Sequence, residues 1–284
     1  MRTYRDSIGV LEDTPLRKED LVDTSAAEEA FYEPLGRGRY RATEHTVGPW
    51  SDKAQHLGPV AALLVRGVEQ HTAESGRGIR RVTVDVLGPV PVDEVEIRCE
   101  VSRPGRSVEL VTTEISAGGR VAALARAWLM RRADTTEVAS DEARRLPAPE
   151  SCGPMPLPAG WSGGYARALD WRNANTSEPG PGGAAVWGRP RLPLVAGERP
   201  SPLQRLFAVA DCSSGVSSPL PFEQWAFANT DLTVHLSRDP MGEWVGLDAQ
   251  TAIGPDGAGL THSTLHDATG PVGRSAQALM PSRV

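Results

Sequence analysis

Three polar residues, Asp211, Asn229 and Gln277, are of types that could do chemistry at their places in the predicted elements. Asp211 lies four residues after Phe207 and eight after Leu203, near the apolar face of a predicted helix that opens at Ser201-Pro202. A carboxylate on such a face must be hydrogen-bonded or hold a raised pKa, which makes it a candidate general base. The same spacing also describes a helix-end carboxylate, solvated or bonded to Ser213 or Ser214. Asn229 belongs to the run Ala228 to Leu236, in which strict alternation puts Asn229, Asp231, Thr233 and His235 on one face. Gln277 sits between Ala276 and Ala278 in the last strand pattern and is aimed either at a polar partner or at solvent. Near the start of an earlier helix, His56 offers a structural or substrate contact, and Gly58 permits close backbone approach and an oxyanion contact.

Other candidates carry less. Cys212 neighbours Asp211, but helical spacing turns it about 100° away, toward core packing. Cys99, Cys152 and Cys212 are too few and too scattered for a disulfide framework or a zinc site. The stretch Glu178 to Gly183 lacks the Lys-Ser/Thr of a phosphate cradle. Aromatic residues make up only 5% of the chain and give no pointer to an aromatic-lined pocket.

These residues need a frame. The 284 residues suit one large domain or two of about 140. With 30 Lys+Arg against 36 Asp+Glu there is no basic excess, which argues against nucleic-acid binding. The longest apolar run, Pro59 to Val65, is too short to span a bilayer, and no apolar segment follows Met1 to Asp6 as a secretory signal requires. A reducing cytoplasm is the expected setting.

Residues 1–30 read as a polar lead-in. The helix from Gly58-Pro59 carries Val60, Leu63, Leu64 and Val68 on one face, and Gly76 and Gly78 follow it. Four strands with period-two alternation follow up to Arg132, broken at Gly88-Pro89, Arg103-Pro104-Gly105 and Gly118-Gly119. Residues 134–163 are Pro-rich, a linker or long surface connection. The pattern then repeats: a helix capped by Ser201 and Gln204 as a capping box, and strands at 224–237, 243–253, 259–266 and 272–280. The reading is α+β: modules at 31–133 and 164–284, each a long helix wrapped by a curved antiparallel sheet. Joined edge to edge they form a double hot-dog. Free outer edges would favour a homodimer or higher homo-oligomer.

A family resemblance gathers the weak signals. Leu192 to Glu198, Ala210-Asp211, Asn229 to Leu232, Gly242-Glu243-Trp244, Asp256-Gly257, Gly273-Arg274-Ser275 and Gln277 resemble the C-terminal half of the TesB-type acyl-CoA thioesterases. Gly48-Pro49-Trp50 and Gln55 to Leu64 resemble that family's opening segment and first helix. The likeness covers roughly residues 31–282. It implies a double hot-dog that hydrolyses acyl-CoA or another acyl thioester, with no cofactor, metal or covalent intermediate. It implies a water activated by Asp211 and held by Gln277 and by Asn229, which stands where the family has Thr. Asn can still donate and accept, although the departure also suits an altered or silent acyl-thioester binding protein. A dehydratase-like hot-dog enzyme would instead need a His/Asp pair, for which His56 is the available histidine. Registering the two last strands on Val121 and Val272 puts Arg126 at the position of Gln277, so one site per chain is expected.

Overall fold

The computed structural model describes residues 29–73, 75–140, 143–157, 161 and 163–284. The expected lead-in lies, save for Glu29 and Ala30, outside the described residues. In chain order the elements are β1 (Tyr32–Gly36), β2 (Arg39–Ala42), α1 (Leu57–Thr72), β3 (Arg77–Val86), β4 (Glu94–Arg103), β5 (Val108–Ala117) and β6 (Arg120–Arg131). Then come α2 (Gly164–Arg167), β7 (Leu169–Asn173), β8 (Gly183–Pro190), α3 (Pro202–Ala210), α4 (Ser213–Val216), β9 (Trp225–Asn229), β10 (Asp231–Leu236), β11 (Val245–Ile253), β12 (Gly259–Asp267) and β13 (Gly270–Arg283).

Among the described residues the strands make one thirteen-stranded antiparallel sheet, ordered β1-β2-β4-β5-β6-β3-β10-β13-β12-β11-β8-β7, with β9 also on β13. The halves meet where β3 pairs with β10. This is the double hot-dog layout.

The two halves share one register, displaced by 150 residues. Val111 opposite Ala127 recurs as Thr261 opposite Gln277. Ile79 opposite Leu129 recurs as Asn229 opposite Leu279. At the seam, Thr83 pairs with its own counterpart Thr233, with hydroxyls 3.4 Å apart, so a local pseudo-twofold runs through that pair. The counterpart of Gln277 is therefore Ala127, not Arg126. Both last strands step one place out of register just after their turns, between Ile115 and Ser116 and between Leu265 and His266.

α1 is buried almost all round, from Leu57 to Arg66 and again at Val68 and Thr72, so it is a central helix rather than a surface one. The one charge in that buried stretch, Arg66, is forked onto Glu198 at 2.7 and 2.5 Å and also donates to Tyr40 Oη at 2.7 Å. α3 begins with Ser201 Oγ accepting the Gln204 N–H at 3.0 Å. The other half of the expected capping box is replaced. The Gln204 amide and the Ser201 hydroxyl both donate to Glu69 of α1, at 2.7 Å each, tying the two helices together.

Both sheet edges are partly covered by the chain itself. The 193–196 segment bonds to Phe31 and Tyr32 at β1, and Gly153 and Met155 bond to Asn173 and Trp171 of β7. These bonds occupy part of the backbone of each outer edge. No helix among the described residues is long and apolar enough to cross a membrane.

Candidate active site

α3 ends at Ala210, and Asp211 is its C-cap, only 4% exposed. The helix-end alternative with serine partners does not occur, since Ser213 Oγ donates to the Ala210 carbonyl. Asp211 Oδ1 instead accepts from Asn229 Nδ2 at 3.0 Å and Gln277 Nε2 at 2.9 Å. Its Oδ2 lies 3.1 Å from His56 Nδ1. The Gly58 N–H lies 3.0 Å from that same nitrogen and also bonds to the carboxylate. All five residues singled out in the sequence thus meet at one point.

Asn229 arrives there by a route that alternation misjudges. β9 and β10 both run along β13, but Thr230 is an extra residue between them: Asn229 faces Leu279 and Thr233 faces Ala276. The bulge shifts the phase by one. Phe227 and Asn229 point inward, as do Leu232, Val234 and Leu236, while Asp231, Thr233 and His235 turn outward. Asp231 then caps the bulge, accepting from the Ala278 N–H at 2.8 Å. The same bulge lies at Arg80 in the first half, between Ile79 and Arg81.

The two halves differ in the polarity of their inward positions. Asn229, Gln277, Thr261 and Thr251 correspond to Ile79, Ala127, Val111 and Val101. Thr261 and Thr251 belong to a directed hydroxyl chain. Ser217 Oγ donates to Ser213 O at 2.7 Å, so it accepts from Thr251 at 2.6 Å, and Thr251 accepts from Thr261 at 2.6 Å. The chain consumes the Thr261 proton and leaves Gln277 Oε1, its cross-strand neighbour, buried without a protein partner. Thr261→Val is expected to cost about 1–3 kcal/mol in urea unfolding, because Thr251 loses its donor while valine, the residue of the first half, fits the shape. An unchanged midpoint would show that the chain carries no stability.

Burial sets the electrostatics. It pushes the Asp211 carboxyl up to about 7, against the opposing pull of the Asn229, Gly58 and Gln277 donors. It pushes the His56 imidazole down to about 3, so His56 is neutral. A neutral imidazole nitrogen either donates or accepts. With Asp211 ionised, Nδ1–H donates to Oδ2 and the Gly58 N–H serves the carboxylate. With Asp211 protonated, Nδ1 accepts.

Tyr165, from the four-residue α2, is a site residue that spacing and composition do not single out. Its ring stacks on His56 at 3.9 Å and 12°, and its hydroxyl donates to the Ala208 carbonyl and lies 3.2 Å from Cys212 Sγ. Cys212 is buried as expected, and burial raises its thiol pKa. The only local signal is Gly163-Gly164 before the tyrosine; a Cβ on Gly164 would lie inside contact distance of the Glu44 carbonyl, so glycine lets α2 seat there.

A cavity of about 150 Å³ opens beside Asp211, Asn229 and His56. Its wall includes aromatic rings to which composition gives no pointer: Trp50, Trp161, Phe222 and Phe227 line it with Tyr165.

Comparison with known proteins is consistent with this geometry. The model of the acyl-CoA thioesterase N-terminal domain matches residues 46–130, and that of the C-terminal domain matches residues 149–280. No curated protein matches the sequence. Among solved structures, a hot dog fold protein of unknown function from Alicyclobacillus acidocaldarius is 16% identical, with a TM-score of 0.70 over 88% of this chain and 95% of that one. The acyl-CoA thioesterase II TesB2 from Mycobacterium marinum is 17% identical, with a TM-score of 0.61 over 89% of this chain and 96% of that one. The tesB protein of Mycobacterium avium subs paratuberculosis is 16% identical, with a TM-score of 0.62 over 88% and 96%. At such identities these structures bear on the fold, and the two domain models bear on the chemistry. Matched in order and across most of the chain, those models show that it belongs to the acyl-CoA thioesterase family and is a thioester hydrolase of double hot-dog fold.

Proposed function

We propose that the chain hydrolyses acyl-CoA with Asp211 as general base and a single site in the C-terminal half. The observation that carries this reading is the buried Asp211 carboxylate, gripped by Asn229, Gln277 and His56 at the edge of the cavity. Water gives one proton to Asp211 as its oxygen bonds to the thioester carbonyl carbon. The carbon–sulfur bond then breaks, and the Asp211 proton passes to the leaving thiolate. Gln277 Oε1, buried and unpartnered, is an acceptor suited to the second hydrogen of that water. Gly58 has a different task from the oxyanion contact expected of it: its N–H anchors the carboxylate and His56.

Only the ionised carboxylate can accept the proton. With its pKa raised to about 7, kcat/KM for acyl-CoA hydrolysis is expected to rise with pH along a limb centred near 7. Thiol release followed from pH 5 to 9 checks this; a flat profile would rule out Asp211 as the base.

One observation favours a second reading. The His56–Asp211 contact at 3.1 Å is the pair that a dehydratase-like enzyme requires. A 3-hydroxyacyl-CoA separates the two: thiol release supports hydrolysis, and enoyl absorbance without thiol supports dehydration. The neutral His56, with its pKa near 3, fits a positioning role for Asp211 better than proton shuttling near neutrality.

A further inference from the structure

The cavity wall points to the acyl group. Trp50, Phe227, Phe222 and Trp161 form an unbroken chain of ring contacts along it. Trp50 meets Phe227 at 5.1 Å and 77°, Phe227 meets Phe222 at 5.2 Å and 53°, and Phe222 meets Trp161 at 6.0 Å and 90°. These are the edge-to-face and tilted arrangements that aromatic rings prefer, and they leave faces and edges for one more ring.

Trp161 is a fixed part of that wall. Trp161 is 8% exposed and packs edge-on against Trp171 at 6.2 Å. Its six-membered ring lies on bare backbone, since a Cβ on Gly215 would come within 2.5 Å of Cζ2. Phe227 is 3% exposed, whereas Trp50 is 45% exposed and stands at the rim. On the side of Gly215 the cavity is therefore bounded by Trp161.

Its size agrees with a compact guest. An apolar cavity of about 150 Å³ is known to take a benzene ring. A long alkyl chain would have to leave the pocket or dislodge the tryptophan.

We propose that this pocket selects a short arylacyl group, such as benzoyl or phenylacetyl, over long straight chains, with the thioester carbonyl presented to Asp211. The proposal rests on the hydrolase reading for its carbonyl position. Two ring contacts made by an aryl guest and not by an alkyl one convert to roughly tenfold in affinity.

The test separates binding from chemistry. Inert CoA thioethers carrying a ketone in place of the thioester, phenacyl-CoA and 2-oxotridecyl-CoA, are titrated calorimetrically against the full chain. Alongside, kcat/KM is measured for benzoyl-, phenylacetyl- and dodecanoyl-CoA. Phenacyl-CoA is expected to bind about tenfold or more tightly than the long-chain thioether. Trp161→Ala is expected to erase that preference by admitting the long chain. Phe222→Leu, a milder change at a half-buried position, is expected to weaken phenacyl-CoA binding selectively. Equal or tighter binding of the long-chain thioether, or binding of neither, overturns the proposal. If phenacyl-CoA is preferred but no thioester is cleaved, the hydrolase reading fails and the pocket assignment stands. If thioesters are cleaved with a dodecanoyl preference, the reverse holds.

Discussion

Asp211→Asn is expected to lower kcat for acyl-CoA hydrolysis by about 10²–10⁴-fold, with KM changed little. General-base removal has effects of this order when the substrate does not itself bind the base. The site should survive the change. An Asn oxygen can still accept from Asn229 and Gln277, and the new amide can donate to His56 Nδ1, because a neutral imidazole can change tautomer.

The same variant makes an opposite prediction for stability. The Asp211 pKa is raised from 3.8 to about 7 in the fold, so the folded state holds the proton more tightly than the unfolded chain does. That contribution is fully present below about pH 3.8 and is lost as pH rises through 7. At pH 8 the native state carries a buried ionised carboxylate, and Asp211→Asn is expected to unfold at higher denaturant, by up to about 4 kcal/mol, with the gain fading toward pH 4. Denaturation of both proteins at pH 4 and pH 8 measures it. Full activity in the variant would remove Asp211 from the mechanism, and a pH-independent stability difference would remove the burial argument.

Gly58→Ala is expected to have the second-largest effect, through the backbone. A Cβ there would sit 2.5 Å from the Ala208 carbonyl oxygen, 3.0 Å from Tyr165 Oη and 3.2 Å from His56 Nδ1. The first of these is main chain on α3 and cannot rotate away. The start of α1 and the end of α3 must separate, and α3 carries Asp211 one residue beyond its end. Overpacking of this kind costs about 1–3 kcal/mol of stability. A displacement approaching 1 Å between catalytic groups costs on the order of 10²-fold in rate. Thermal unfolding and kcat should therefore fall together. Adding Tyr165→Phe removes the hydroxyl contact but not the carbonyl clash, so the double variant should not recover. Recovery would show that the tyrosine, not α3, is the obstacle.

Much of the frame was legible in the chain. The apolar run from Leu57 to Val68, the alternating valines of β3 and the Gly and Pro breaks between strands are local signals, because each reports which face of its own element is buried. The repeat was legible for the same reason: both halves use one pattern of faces. The hydroxyl cap of α3 could be read from Ser201 and Gln204, but the destination of the Gln204 amide could not, since Glu69 lies 135 residues away.

The choice of Asp211 and Gln277 came from residue type, burial pattern and family likeness, whereas their meeting is a tertiary fact. Two features hid the rest. A one-residue bulge at Thr230 reverses every later side chain of that strand, so Asn229 faces the site although plain alternation groups it with outward residues. Likewise strand pairing makes Ala127, not Arg126, the counterpart of Gln277, because Val121 corresponds to Pro271 rather than to Val272. The aromatic pocket was invisible for a simpler reason. Its rings come from residues 50, 161, 222 and 227, and scarcity along a chain does not limit crowding in space.

The amino-acid sequence by itself determined the two helix-and-sheet units, their order and the residue types available for chemistry, because periodicity and turn chemistry act over a few neighbours. The tertiary structure alone decided which carboxylate loses its water, which donors surround it and which rings close the pocket. Desolvation and hydrogen-bond geometry depend on atoms brought together across more than a hundred residues, and no local pattern records them.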